Sequence, residues 1–87
     1  MLRVKVLGPG CANCARLKAT TAEALEAMGV EATLEYVTDP AEFARYRLMM
    51  TPGLVVNEKL ICAGRVPPKA EVMALIANFL AAGEAAS

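Results

Sequence analysis

The amino-acid sequence predicts an α/β fold: a mixed four-stranded sheet with helices on both faces, its elements in the order β-α-β-α-β-β-α. Three observations predict it. The apolar period switches along the chain between two residues, as in a strand, and three to four, as in a helix. The helical stretch from Cys11 to Met28 separates the first two strand-like segments by enough chain for a parallel crossover. Leu54-Val55-Val56 and Lys59-Leu60-Ile61-Cys62, by contrast, are joined only by Asn57-Glu58, which makes them an antiparallel hairpin.

Each element has its own signal. From Met1 to Gly8, Leu2, Val4 and Val6 alternate with Arg3, Lys5 and Leu7, giving a strand with one apolar face and one partly solvated face. Gly8, Pro9 and Gly10 break it. Cys14, Leu17, Thr21, Leu25 and Met28 then recur at helical spacing, and Gly29 supplies the stop. Val30 to Val37 returns to a period of two. Asp39-Pro40-Ala41-Glu42 starts a short helix: Asp39 caps free amides, Pro40 suits the first turn and Glu42 can close a capping box, with the helix reaching about Arg47. Pro52 offers no amide donor and keeps Thr51 out of the helical region, so Leu48 to Pro52 is a loop into the third strand. Asn57 tolerates the left-handed backbone of a tight turn. Val72, Leu75, Ile76, Phe79 and Leu80 form the apolar stripe of a last helix starting near Pro68.

Composition narrows the function. The 87 residues leave room for a single domain over 1–87, with a frayed tail at about 83–87. Nine Lys and Arg balance nine Asp and Glu, so no long-range field draws nucleic acid or an anionic membrane to the chain. Histidine is absent, which removes imidazole acid–base chemistry, Ser/His nucleophiles and His-containing zinc sites. Charges interrupt every long apolar stretch, and Met1 leads directly into strand alternation, so the expectation is a soluble, cytoplasmic protein, a monomer or weak dimer. No cofactor-binding box is present; the Met49-Met50 pair and the Phe43–Tyr46 region read as packing.

The chemistry concentrates in Cys11-Ala12-Asn13-Cys14, at the passage from first strand to first helix. A thiolate at Cys11 meets the free amides and positive end of the helix, which makes it the better nucleophile. Cys14 lies one turn further on, within reach of a disulfide and on the same stripe as Leu17, so it is the less exposed, resolving thiol. Arg16, Lys18 and Lys5 read as solvated side chains. Cys62, between hydrophobic neighbours, reads as a buried structural cysteine.

Cys11, Cys14, Thr51-Pro52 and Gly64 together give the chain a pattern that resembles the thioredoxin-like superfamily. The likeness is greatest to the small thioredoxin-like proteins often called redox-active disulfide proteins, and it spans Val4 through Leu80. The segments Val6-Leu7-Gly8-Pro9-Gly10-Cys11-Ala12-Asn13-Cys14 and Met50-Thr51-Pro52-Gly53-Leu54-Val55-Val56-Asn57 carry the likeness. The resemblance implies a thiol–disulfide oxidoreductase with Cys11 attacking and Cys14 resolving. It also implies a cis Pro52, with Gly10, Thr51 and Pro52 beside an extended partner. The partners implied are protein disulfides and a separate thioredoxin-reductase-like electron donor. Ordinary thioredoxins have tryptophan before the motif and Gly-Pro inside it, where this chain has Gly10 and Ala12-Asn13; Lys5 stands at the spacing of their buried acid. The Pro-Tyr pair and paired glycines of glutaredoxins are also missing, apart from Gly64.

Two rival readings use the same thiols. A soft-metal-binding or metal-transfer module could ligate Cu(I) through Cys11 and Cys14, but it expects the order β-α-β-β-α-β. A noncatalytic interaction module would use the pair as a structural staple, although so short a loop gains little from crosslinking.

Overall fold

The computed structural model describes residues 2–82 of the chain; the frayed tail expected at about 83–87 lies outside them. Along them run β1 (Leu2–Leu7), α1 (Ala12–Met28), β2 (Ala32–Val37), α2 (Pro40–Arg45), β3 (Gly53–Val56), β4 (Lys59–Ala63) and α3 (Lys69–Ala81). This is the order predicted, and it closes on α3, unlike the arrangement the metal-transfer reading requires.

The four strands form one sheet in the order β2-β1-β3-β4. β1 pairs parallel with β2, from Leu2 opposite Ala32 to Leu7 opposite Val37. It pairs antiparallel with β3, from Val4 opposite Val56 to Leu7 opposite Gly53. The hairpin of β3 and β4 is antiparallel with a bulge: Leu54 faces Cys62 and Val55 faces Leu60, so Ile61 is the extra residue. Both residues of its turn take left-handed backbones, Asn57 at φ 48° and Glu58 at φ 71°. Asn57 also binds β1 twice, donating its N–H to the Arg3 carbonyl (2.8 Å) and accepting the Arg3 N–H on Oδ1 (2.8 Å).

The helices divide between the two faces. Leu17, Ala24 and Leu25 of α1 and Val72, Ile76 and Phe79 of α3 bury Leu2, Val4, Val6, Leu54 and Val56 in the larger core. On the other face α2 and the segment after it bring Phe43, Tyr46 and Leu48 over Leu7, Val37 and Val55. The second face of β1 is therefore covered where the alternation suggested partial solvation: Leu7 is fully buried and the Lys5 side chain keeps only 17% of its exposure.

The helix ends follow local chemistry. Gly29 closes α1 at φ 67°, its N–H shared between the carbonyls of Leu25 and Glu26. Asp39 caps α2 by accepting the Ala41 N–H at 2.9 Å. Glu42 does not close the capping box; its carboxylate meets Arg45 at 3.3 Å instead. α2 also stops before the expected Arg47, because Arg47 turns to φ 56° and the Leu48 N–H reaches back to the Phe43 carbonyl at 2.9 Å.

A disulfide between β1 and α1

β1 delivers the chain to the site through a short, tightly fixed turn. The Gly8 N–H donates to the Val37 carbonyl of β2 at 3.0 Å, and Gly10 adopts φ 95°, a conformation that glycine accepts without strain. Cys11 follows as the N-cap of α1, with extended backbone angles, and its carbonyl accepts the Ala15 N–H at 3.1 Å. Its sulfur takes the place usually held by a capping oxygen, accepting the Cys14 N–H at 3.2 Å.

Cys11 and Cys14 are joined as a disulfide with Cα atoms 5.1 Å apart. The two sulfurs differ in surroundings as the helical spacing predicted. Cys11 is exposed, whereas Cys14 is fully buried on the stripe that continues through Leu17 and Thr21. No acidic residue occupies the first turn of α1, so nothing there opposes its positive end. The Cys14 N–H is thus aimed at a sulfur whose residue is open to solvent.

A second segment approaches Cys14 across Gly8. Thr51–Pro52 is a cis peptide, with Pro52 buried and Thr51 exposed. The Pro52 carbonyl accepts the Gly64 N–H at 2.9 Å, and Gly64 needs its φ of 80° there. Gly8 lies where the two segments meet: a Cβ on it would overlap Cys14 Sγ and stand 3.9 Å from Pro52 Cβ. The structure thus brings Cys11, Cys14, Pro52 and Gly8 together, with Gly10 and Thr51 exposed at the rim. Gly8 was legible only as a turn residue; its role as the close-packing position under Cys14 needed the fold.

Lys5 is not a solvated bystander. Its Nζ contacts Tyr46 Oη at 3.0 Å and Glu58 Oε1 at 3.4 Å, and the Tyr46 hydroxyl donates to Glu58 Oε2. Arg45 adds a contact to Glu58 at 3.5 Å. The bond with Tyr46, aided by the Glu58 charge, raises the Lys5 pKa against the opposing effect of burial. The Tyr46 bond, with Lys5 and Arg45 assisting, lowers that of Glu58. Glu58 belongs to the β3–β4 turn and Tyr46 ends α2, so Lys5, paired with Val55 in the middle of β1, fastens α2 to the sheet.

The other residues singled out from the sequence fall into place around this site. Cys62 is a free thiol on β4, half-buried against the larger core instead of enclosed. Lys18 stacks its ammonium 5.8 Å from the centre of the Tyr36 ring. Met49 and Met50 pack against nothing like a core: they are 91% and 65% exposed. No helix among the described residues is long and apolar enough to cross a membrane.

Comparison with known proteins agrees with this geometry. A thioredoxin domain profile matches residues 2–77. A thioredoxin of Methanothermobacter thermautotrophicus is 32% identical over 76 residues, spanning 87% of this chain and 99% of that protein. A thioredoxin of Methanocaldococcus jannaschii is 26% identical over 80 residues, 92% of each chain. Among solved structures, chloroplastic thioredoxin z superposes with a TM-score of 0.69 at 14% identity, over 93% of this chain and 80% of its own. The likeness thus runs along nearly the whole described length, sheet and helices included, and the chain belongs to the thioredoxin family.

Proposed function

We propose that this chain is a thiol–disulfide oxidoreductase that exchanges electrons between protein disulfides and a separate dithiol reductase through Cys11 and Cys14. The observation that carries the reading is the asymmetry of the pair: Cys11 exposed, with an amide on its sulfur, and Cys14 buried behind it. The Cys11 thiolate attacks one sulfur of the partner disulfide; the S–S bond breaks, and the leaving thiolate takes a proton from water. Cys14, losing its proton to water, attacks Cys11 Sγ and expels the partner's second thiolate, which takes a proton from water in turn. Two electrons and two protons have then reached the partner, and Cys11–Cys14 is again a disulfide. A reductase restores the dithiol by the reverse exchange.

Gly10 and Thr51 stand at the rim where an extended partner segment would lie, with the Thr51 backbone held by the cis bond to Pro52. The test is mixed-disulfide trapping. Cys14→Ser is expected to accumulate partners bound through Cys11, and Cys11→Ser is expected to trap none. Adducts formed only at Cys62, or tight stoichiometric metal binding by the reduced pair without any exchange, would refute the assignment.

A further inference from the structure

Two side chains just ahead of the cis peptide in the chain are not used by the exchange chemistry. Met49 and Met50 immediately precede Thr51–Pro52 and are 91% and 65% exposed, large hydrophobic residues left open to solvent. Met50 is also anchored to the site. It lies over Gly64, where an added Cβ would meet Met50 Cβ at 3.2 Å and Sδ at 3.6 Å, and Gly64 is the residue whose N–H holds the Pro52 carbonyl. The thioether therefore sits on the support of the cis peptide. Met28 and Met73 differ, since both pack against the larger core.

We propose that Met49 and Met50 are a modification site, oxidised by hydroperoxides, whose oxidation weakens docking of protein partners at the thiol pair. The docking part rests on the exchange reading above. In the modifying step Sδ attacks one peroxide oxygen; an S–O bond forms as the O–O bond breaks, and water or an alcohol leaves. The sulfur loses two electrons and the peroxide gains them. The product sulfoxide is polar and strongly hydrated where the thioether was apolar and soft, and dedicated sulfoxide reductases can reverse the change. The partner affected is the extended protein segment that follows Thr51, because covering Met50 means desolvating a new acceptor without a donor to meet it. A small disulfide, which reaches Cys11 without covering Met50, is spared.

The test uses the full chain carrying Cys62→Ser, in the Cys11–Cys14 disulfide form so that no thiol consumes the oxidant, with hydrogen peroxide as probe. Mass spectrometry of tryptic peptides is expected to show oxygen added to residues 48–59, which hold both methionines, at least about tenfold faster than at Met28 or Met73. After reduction, the KM for insulin disulfides is expected to rise about fivefold or more, while the rate with 2-hydroxyethyl disulfide stays unchanged. In the Met49→Leu, Met50→Leu double variant, the KM for insulin is expected to be the same before and after peroxide. Equal oxidation of the core methionines, an insulin KM indifferent to full oxidation at 48–59, or a double variant as peroxide-sensitive as its parent would each overturn the proposal. A chain that, before any peroxide, turns over neither substrate refutes the exchange reading and the docking effect with it, and the relative oxidation rates then decide the modification site alone.

Discussion

Substituting Gly8 by alanine tests the tightest contact in the site. Gly8 has no positive φ, so the new methyl group brings no backbone strain, and its whole effect is steric. That methyl would occupy the space of Cys14 Sγ and approach Cys14 Cβ to 3.0 Å. Cys14 is fully buried and cannot swing aside into solvent. Overpacking of this kind costs about 1–3 kcal/mol. With a urea dependence of about 1 kcal/mol per molar for a small domain, the unfolding midpoint should fall by about 1–3 M. The assay is urea unfolding under reducing conditions, in the parent and in Cys14→Ala, so that loss of the disulfide does not enter the comparison. With alanine at position 14 the sulfur is gone, and Gly8→Ala should lose the greater part of its penalty, the Cβ contact keeping a remainder. A coupling below about 0.5 kcal/mol between the two sites, the size found for independent positions, would refute the contact.

Two further outcomes follow from the Lys5–Tyr46–Glu58 cluster and the β3–β4 turn. Glu58→Gln should cost about 1 kcal/mol near neutral pH, modest because the Glu58 side chain is 34% exposed. The Glu58 pKa is lowered in the fold, so its contribution is present above the ordinary value of 4.5 and is lost as pH falls through the folded value; the gap between parent and variant should close in acid. The Lys5 pKa is raised, so its share is complete below 10.5 and is lost only as pH rises beyond that, and urea titrations at several pH values would show both edges. Asn57→Ala should cost about 1–2 kcal/mol, since alanine at φ 48° is strained, whereas Asn57→Gly should recover the backbone part and lose only the bond from Arg3; equal losses for the two would place the effect in the hydrogen bond.

What the sequence made legible was whatever depends on near neighbours. Asn57-Glu58 declares a hairpin because two residues joining two strands leave few backbone choices, and both do take positive φ. Cys11 at the head of α1 and Gly29 at its foot are read from capping chemistry alone. Lys5 could not be read so, because its partners lie 41 and 53 residues away, and nothing local says that α2 will roof the second face of β1. The early end of α2 was hidden for the same reason: Leu48 is drawn back to pack against Gly53, where a Cβ would stand 2.7 Å from its Cδ1. The cis state of Thr51–Pro52 came from resemblance, not from local chemistry, and Gly8 could not reveal its burden until Cys14 and Pro52 were folded against it.

The bulge at Ile61 has a consequence for how copies of this chain behave beside one another. β4 is an outer strand with one side of its backbone facing away from β3, the kind of edge onto which another chain can add. The extra residue breaks its pleat, increases its twist and turns Ile61 as well as Cys62 towards the core, so the strand offers neither a straight row of amides nor a clean apolar side. At the opposite margin, β2 sets exposed Thr33 and Glu35 along its outward face. Both borders of the sheet are thereby poorer templates for intermolecular ribbons than flat, regular strands, a feature that counts for more in a chain whose net charge is zero and which lacks the repulsion that keeps charged molecules apart.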